Sequence, residues 1–153
     1  MRRKRTPATG ARLYDLVRRV RPLYRALYRA VDEALVGTGL TIAERALLER
    51  LRDGGAQTVP ELADALALER QPVQRVVDRL ARATPSALVA RGANPRHRRS
   101  PRIALTPAGE AAIDRVRARE AVELRRVART VDAADLEASL RVADAILDGF
   151  GRA

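Results

Sequence analysis

Two tetrads of one pattern, Thr41-Ile42-Ala43-Glu44 and Thr58-Val59-Pro60-Glu61, set where helices must begin in the middle of the chain. In each, the Thr oxygen can accept an orphan amide of the first helical turn while the Glu reaches back to the amide of the cap. The helix opened by Thr41 carries Leu47, Leu48 and Leu51 and is broken at Asp53-Gly54-Gly55. The helix opened by Thr58 is short, with Leu62, Ala63 and Leu66 on one side and Pro60 in the first turn, where a missing N–H costs nothing. Leu68-Glu69-Arg70-Gln71-Pro72 then turns the chain into a further helix with Val73, Val76, Val77 and Leu80 on one face. Two helices separated by so short a turn have the layout of a helix-turn-helix.

Opposite the apolar stripe of the last of these helices stand Gln71, Gln74, Arg75, Asp78 and Arg79, with Arg70 at its start. Gln and Arg are the side chains that make paired hydrogen bonds with adenine and guanine edges in a major groove. A merely solvated helix face has a similar composition, but nine Arg stand against a single acidic residue between Arg70 and Arg102. After Thr84-Pro85-Ser86, the segment Ala87-Leu88-Val89-Ala90-Arg91 reads as a strand and Arg102-Ile103-Ala104-Leu105 alternates like its returning partner. Gly92-Ala93-Asn94-Pro95 starts the turn between them, and Arg96-His97-Arg98-Arg99-Ser100 is a basic tip. A hairpin of this kind is a wing. Its guanidinium groups suit phosphates or a narrow, electronegative minor groove, although an exposed loop kept in solution by Arg would read alike.

The flanks are helical. From Leu13, apolar positions recur at Val17, Val20, Tyr24, Leu27, Val31 and Leu35, widened by Leu16 and Leu23 and ended near Gly37-Thr38-Gly39. Pro22 inside this stretch is expected to kink the helix or split it in two. Thr106-Pro107 opens another helix that should run to about Arg129 with Ile113, Val116, Val122, Leu124 and Val127. A last one after Thr130-Val131-Asp132 carries Leu136, Leu140, Ala143 and Leu147. A winged domain this small cannot cover those stripes, so two-fold self-association is expected.

The chain of 153 residues has 30 basic and 19 acidic side chains, a formal charge of +11. Residues 1–40 hold ten basic against three acidic, residues 41–106 twelve against seven, and residues 107–153 eight against nine. The excess ends where the C-terminal helices begin. Such a field seeks a polyanion, and charge alone suits DNA, RNA and an anionic membrane. With no Trp, three Tyr and one Phe there is little surface for stacking unpaired bases. The opening Met1-Arg2-Arg3-Lys4-Arg5 reads either as a phosphate-binding arm or as a disordered basic tail.

Absence of Cys and a single His, His97, argue against a disulfide, a thiol sensor or a structural zinc site, and no cofactor is expected. Asp78 and Glu61 have no His, Cys or Ser at chemically useful spacing, so no catalytic site is expected. No apolar run approaches a membrane span, so the expected setting is the cytoplasm, at a bacterial or archaeal nucleoid.

Taken in order, Leu40-Thr41, Thr58-Val59-Pro60-Glu61-Leu62-Ala63, Arg75-Val76-Val77-Asp78-Arg79-Leu80, Leu88-Val89-Ala90-Arg91, and Arg98-Arg99 followed by Leu105-Thr106-Pro107-Ala108-Gly109 resemble the MarR family of winged-helix regulators. The resemblance implies a mostly α (α+β) fold: a winged helix-turn-helix with a two-stranded β-wing and N- and C-terminal dimerisation helices. It implies a basic arm at 1–9, a dimerisation helix at 10–37, the DNA-binding domain at 40–106 and dimerisation helices at 107–153. The function it implies is a dimeric transcriptional regulator, commonly a repressor, on a pseudo-palindromic double-stranded site, released by a small aromatic or phenolic effector. A low-specificity architectural nucleic-acid-binding protein is the alternative, since Arg supports phosphate binding whether or not bases are read.

The expected DNA contacts are Arg70, Gln71, Gln74, Arg75 and Arg79 on the recognition helix and Arg96, Arg98 and Arg99 in the wing. Tyr24, Leu27 and Tyr28, with Leu47 and Leu51 and the start of the helix opened by Thr106-Pro107, border the expected effector cavity, where a nearby Arg would neutralise the carboxylate of an aromatic acid, although the tyrosines would equally serve as hydrogen-bonded core residues. Two departures from the family pattern stand out. His97 occupies the place of an Asp that braces the wing Arg two residues later, here Arg99. Thr84-Pro85-Ser86 looks like a three-residue insertion, followed by Ala87 where a Gly is usual.

Overall fold

A computed structural model describes residues 9–95, 97 and 99–150. The chain divides into two compact units, Met1–Val116 and Arg117–Ala153. The elements run α1 (Gly10–Leu35), α2 (Ile42–Gly54), α3 (Val59–Leu66), α4 (Arg70–Ala81), β1 (Val89–Gly92), β2 (Arg102–Leu105), α5 (Pro107–Ala128) and α6 (Ala133–Phe150).

Both capping boxes form. Thr41 Oγ1 accepts from the Glu44 amide while Glu44 accepts from the Thr41 amide at 2.8 Å, and Thr58 and Glu61 repeat the exchange with 2.7 Å for the return bond. Between α3 and α4, Ala67 takes the left-handed conformation at φ 51° and lets the Leu68 amide donate back to Ala63 O at 3.0 Å. That reversal is the turn of the helix-turn-helix. Leu62 and Ala63 from α3 and Val73, Val77 and Leu80 from α4 meet Leu47, Leu48 and Leu51 of α2 in one buried core. Leu35, Val89, Ile103, Ile113 and Val116 complete it.

α1 runs unbroken through Pro22, so the expected split does not occur. Pro22 removes the amide that would have bonded the Arg18 carbonyl, and its ring crowds that same carbonyl. Both residues are exposed, so water can take that carbonyl at little cost.

β1 and β2 pair antiparallel with Val89 opposite Leu105 and Gly92 opposite Arg102. The ladder begins two residues later than expected, and beyond its first pair the carbonyls of Ala87 and Leu88 both accept from Thr106. Its hydroxyl donates to Ala87 O at 2.6 Å and its amide to Leu88 O at 3.1 Å. A third backbone segment joins the wing at one residue. Gln57 and Ile103 exchange amide bonds of 3.0 and 2.7 Å, which fixes the α2–α3 connection to the outer side of β2. In the wing turn, the His97 amide donates to Asn94 O, the Ser100 amide donates to His97 O, and Asn94 Nδ2 donates to Ser100 O. Backbone bonds and Asn94 thus hold the turn in which His97 stands in place of a carboxylate.

In Arg117–Ala153 the packing is open. α6 has no buried residue, and Val122, Leu124, Leu136, Leu140 and Leu147 are exposed. Among the described residues, no helix is long and apolar enough to cross a membrane.

Candidate nucleic-acid interface

α4 is amphipathic in the sense its sequence requires. Burial of Val73, Val77 and Leu80 turns Gln71, Gln74 and Arg75 outward, where all three are exposed. Beside α4, the start of α3 and the wing close a cleft of about 310 Å³. It brings together Arg70, Gln71 and Gln74 from α4 with Arg99 from the wing, over an apolar floor that includes Pro60 and Ile103. Four of the eight expected DNA-contacting residues therefore share one surface. Arg96 and Arg98 lie outside the described residues.

Arg75 and Arg79 border a different cleft on the other flank of α4. Arg79 Nε donates to Glu44 Oε1 at 2.9 Å, and the Glu44 side chain is only 3% exposed against 66% for Arg79. The other oxygen of Glu44 accepts from the Thr41 amide and hydroxyl, so this buried carboxylate is satisfied on both sides. One side chain thereby caps α2 and anchors the recognition helix. Its dual use was not legible in the sequence, where Glu44 reads only as half of a capping box.

A second anchor joins α4 to the wing. Asp78 Oδ1 accepts from Gln74 Nε2 at 2.7 Å and from a close Arg91 guanidinium on β1. The Gln74 bond above all, then Arg91 and the field of Arg82, holds the Asp78 carboxyl below its ordinary value of 3.8 against the opposing effect of desolvation. A depressed carboxyl contributes stability that is present above its unfolded value and lost as pH falls through the folded one. The α4–wing contact should accordingly persist through pH 3.8 and loosen only in stronger acid. In a carbon-detected NMR titration, Asp78 should titrate below that value in the wild type and closer to it in Gln74→Ala. An identical midpoint in both proteins would remove Gln74 as the main cause.

Sequence reasoning missed Arg91 as a member of this surface, because a strand-end Arg carries no sign of a partner thirteen residues earlier. The five residues expected to border an effector cavity are not gathered in either cleft. Leu47 and Leu51 are buried in the core, whereas Tyr24, Leu27 and Tyr28 are exposed along α1 and the two tyrosine rings lie 5.9 Å apart. The alternation of α1 reads the same whether its stripe meets a cavity or open surface. Among the described residues, no group of three or more His, Cys, Asp or Glu could hold a metal ion.

A capped helix-turn-helix, a basic outward face and a hairpin tied back to that face define a winged helix-turn-helix protein. No family model matches the sequence, and no curated protein matches it either. Solved structures do. The MarR family transcription regulator SP03579 is 35% identical, with a TM-score of 0.79 over 92% of this chain and 91% of that one. CouR from Rhodococcus jostii RHA1, bound to p-coumaroyl-CoA, is 22% identical with a TM-score of 0.76 over 90% of this chain and 95% of its own. A mutant MarR from E. coli complexed with operator DNA is 20% identical with a TM-score of 0.74 over 92% and 99%. The chain belongs to the MarR family of transcription regulators.

Proposed function

We propose that this chain is a ligand-responsive repressor that binds pseudo-palindromic double-stranded DNA as a dimer. The observation that carries the reading is the cleft where Arg70, Gln71 and Gln74 of the recognition helix meet Arg99 of the wing, base-reading and phosphate-seeking groups on one face. Family membership supports it, as do the operator DNA held by the mutant MarR from E. coli and the p-coumaroyl-CoA held by CouR. The direct test is fluorescence anisotropy at controlled salt, comparing duplex from the gene's own upstream region with scrambled duplex. A preference of at least about a thousand-fold is expected of a specific regulator. A ratio near one would replace the repressor with an architectural protein that binds phosphates alone.

Dimerisation is supported by the apolar surface that the single chain leaves in water. Along α1, Leu16, Val17, Val20, Leu23, Tyr24 and Leu27 are all exposed, and α6 adds Leu136, Leu140 and Leu147. Each helix by itself carries an apolar stripe of the kind that marks an interface. Sedimentation equilibrium at micromolar concentration should return twice the chain mass of 16.8 kDa. Leu16→Glu with Leu23→Glu should shift the protein toward that single mass, whereas a wild-type monomer would remove the dimer from the proposal.

A further inference from the structure

Residues 1–40 hold ten basic side chains against three acidic ones, most of the chain's net charge of +11, and the reading face of α4 and the wing uses none of them. Six of the ten are in α1, and four of those six are aligned. At about 3.6 residues per turn, Arg18, Arg21, Arg25 and Arg29 fall within about 80° of arc and form one ridge. With a rise of about 1.5 Å per residue, the ridge is about 16 Å long. All four side chains are exposed, and none makes a hydrogen bond or ion pair among the described residues. Asp15, Asp32 and Glu33, the carboxylates of α1, lie beyond the two ends of the ridge.

The apolar stripe of α1, with Leu16, Val20, Leu23 and Leu27, is centred about half a turn of the helix from this ridge. A dimer that closes over the stripe therefore leaves the four arginines in water. Towards its C-terminal end, α1 joins the core through Val31 and Leu35. It packs on α2, and α2 in turn packs on α3, α4 and β2, which sets α2 between α1 and the reading elements. A duplex lying straight along α4 would have to bend around that helix to touch the ridge, and so sharp a bend is costly.

We infer that the α1 ridge is a docking surface for a second segment of duplex DNA, joining it to the duplex read by α4 and the wing. Duplex DNA is a straight, dense polyanion, with phosphates recurring about every 3.4 Å of axis along each strand, so a row of four guanidinium groups about 16 Å long fits one stretch of backbone. α1 has no Gln or Asn, and its contacts are to phosphate and independent of sequence. A bilayer fits less well. An amphipathic helix enters a membrane apolar face first, and here that is the face a second copy covers. A membrane would compete with the dimer, whereas a duplex does not. The inference rests on the reading of the chain as a DNA-binding dimer and adds to it a second DNA site.

The test uses the full chain, duplex from the gene's own upstream region fixed in excess on beads, and a free fluorescent scrambled duplex. Wild-type protein should retain the free duplex on the beads. The ridge variant, Arg18→Ala with Arg21→Ala, Arg25→Ala and Arg29→Ala, should reduce that capture by about ten-fold or more. Its affinity for a short operator duplex should be unchanged, since Ala keeps α1 helical and the four sites are remote from α4. Arg18→Lys with Arg21→Lys, Arg25→Lys and Arg29→Lys should keep the capture, because phosphate contact needs the charge and not the guanidinium fork. Affinity for the second duplex should fall about a hundred-fold when salt rises about four-fold, as four neutralised phosphates require.

No capture by a wild-type protein that still prefers its operator would overturn the inference while sparing the repressor reading. Undiminished capture by the ridge variant would put the second duplex on other reading faces and overturn it too. If the ridge variant lost affinity only for operator carrying long flanks, without any capture by wild type, the ridge would hold the flank of the same duplex. That result, or ridge-dependent sedimentation with phosphatidylserine–phosphatidylcholine vesicles in place of capture, would equally overturn it. Scrambled duplex on the beads separates the two readings. Capture between two scrambled duplexes that is lost in the ridge variant upholds the ridge even in a protein without operator preference, a result that strikes the repressor reading alone.

Discussion

Replacing Gly109 with Ala is expected to destabilise the protein by about 1–3 kcal/mol, the range of an overpacked site. A Cβ at this position would stand 2.0 Å from Leu88 O, 3.0 Å from the Leu88 carbonyl carbon and 3.4 Å from Leu105 Cδ2. The nearest atom is backbone, so no rotamer change relieves it. Nor can Leu88 withdraw easily, since its amide donates to Leu80 O at 2.9 Å and its carbonyl accepts from the Thr106 amide at 3.1 Å. One residue thus ties the end of α4, the start of β1 and the cap of α5 together. Helix propensity alone would favour Ala over Gly by about 1 kcal/mol, so the clash must outweigh a gain. Gly149→Ala is the control: a Cβ there meets nothing within 4 Å, and that variant should be neutral or slightly more stable. Urea unfolding followed by circular dichroism compares the two, and a Gly109→Ala protein within about 0.5 kcal/mol of wild type, the scatter of ordinary surface changes, would contradict the packing account.

What the sequence made legible is what local chemistry decides. The starts of α2 and α3 fall where the two Thr-x-x-Glu tetrads put them, because a capping box is completed within four residues. The wing was readable from alternation and turn residues, and its registry with α5 from Thr106-Pro107 only in part. Non-local partners were not readable. The Gln57–Ile103 bridge, the Glu44–Arg79 pair and the Asp78–Arg91 contact each join residues whose own neighbourhoods announce nothing of the other. Ala67 hides the left-handed turn, since Ala carries no signal for positive φ. Pro22 does not split α1, because its cost depends in part on whether water reaches the orphaned carbonyl. The expected effector residues divided between core and surface for a similar reason. Helical periodicity groups Leu47 and Leu51 on one face and Tyr24 with Leu27 on another without saying what either face meets.

Separate roles for the recognition helix and the wing give the largest functional effect. Gln71 and Arg75 are exposed on α4 opposite buried Val73 and Val77, so docking that face in a major groove presents both to base edges. Gln71→Ala and Arg75→Ala should each remove about 1–3 kcal/mol of discrimination between operator and scrambled duplex, with a smaller effect on scrambled duplex itself. Gln74 is less free to contribute, since one of its amide hydrogens is given to Asp78. Arg99 lies across the cleft on the wing, where a phosphate or a narrow minor groove is the natural contact. Arg99→Ala should weaken both duplexes alike and lower the slope of log affinity against log salt by about one unit per protomer. Anisotropy titrations of the three variants at several salt concentrations separate these outcomes. Equal losses on both duplexes from the helix variants, with operator preference lost only in Arg99→Ala, would reverse the roles assigned to helix and wing. Asp78 predicts how strictly the roles can separate: its bonds to Gln74 and Arg91 span the two elements. Asp78→Asn removes the charge that holds Arg91, so it should lower operator preference and salt slope together, a combined loss that neither element's own variants produce.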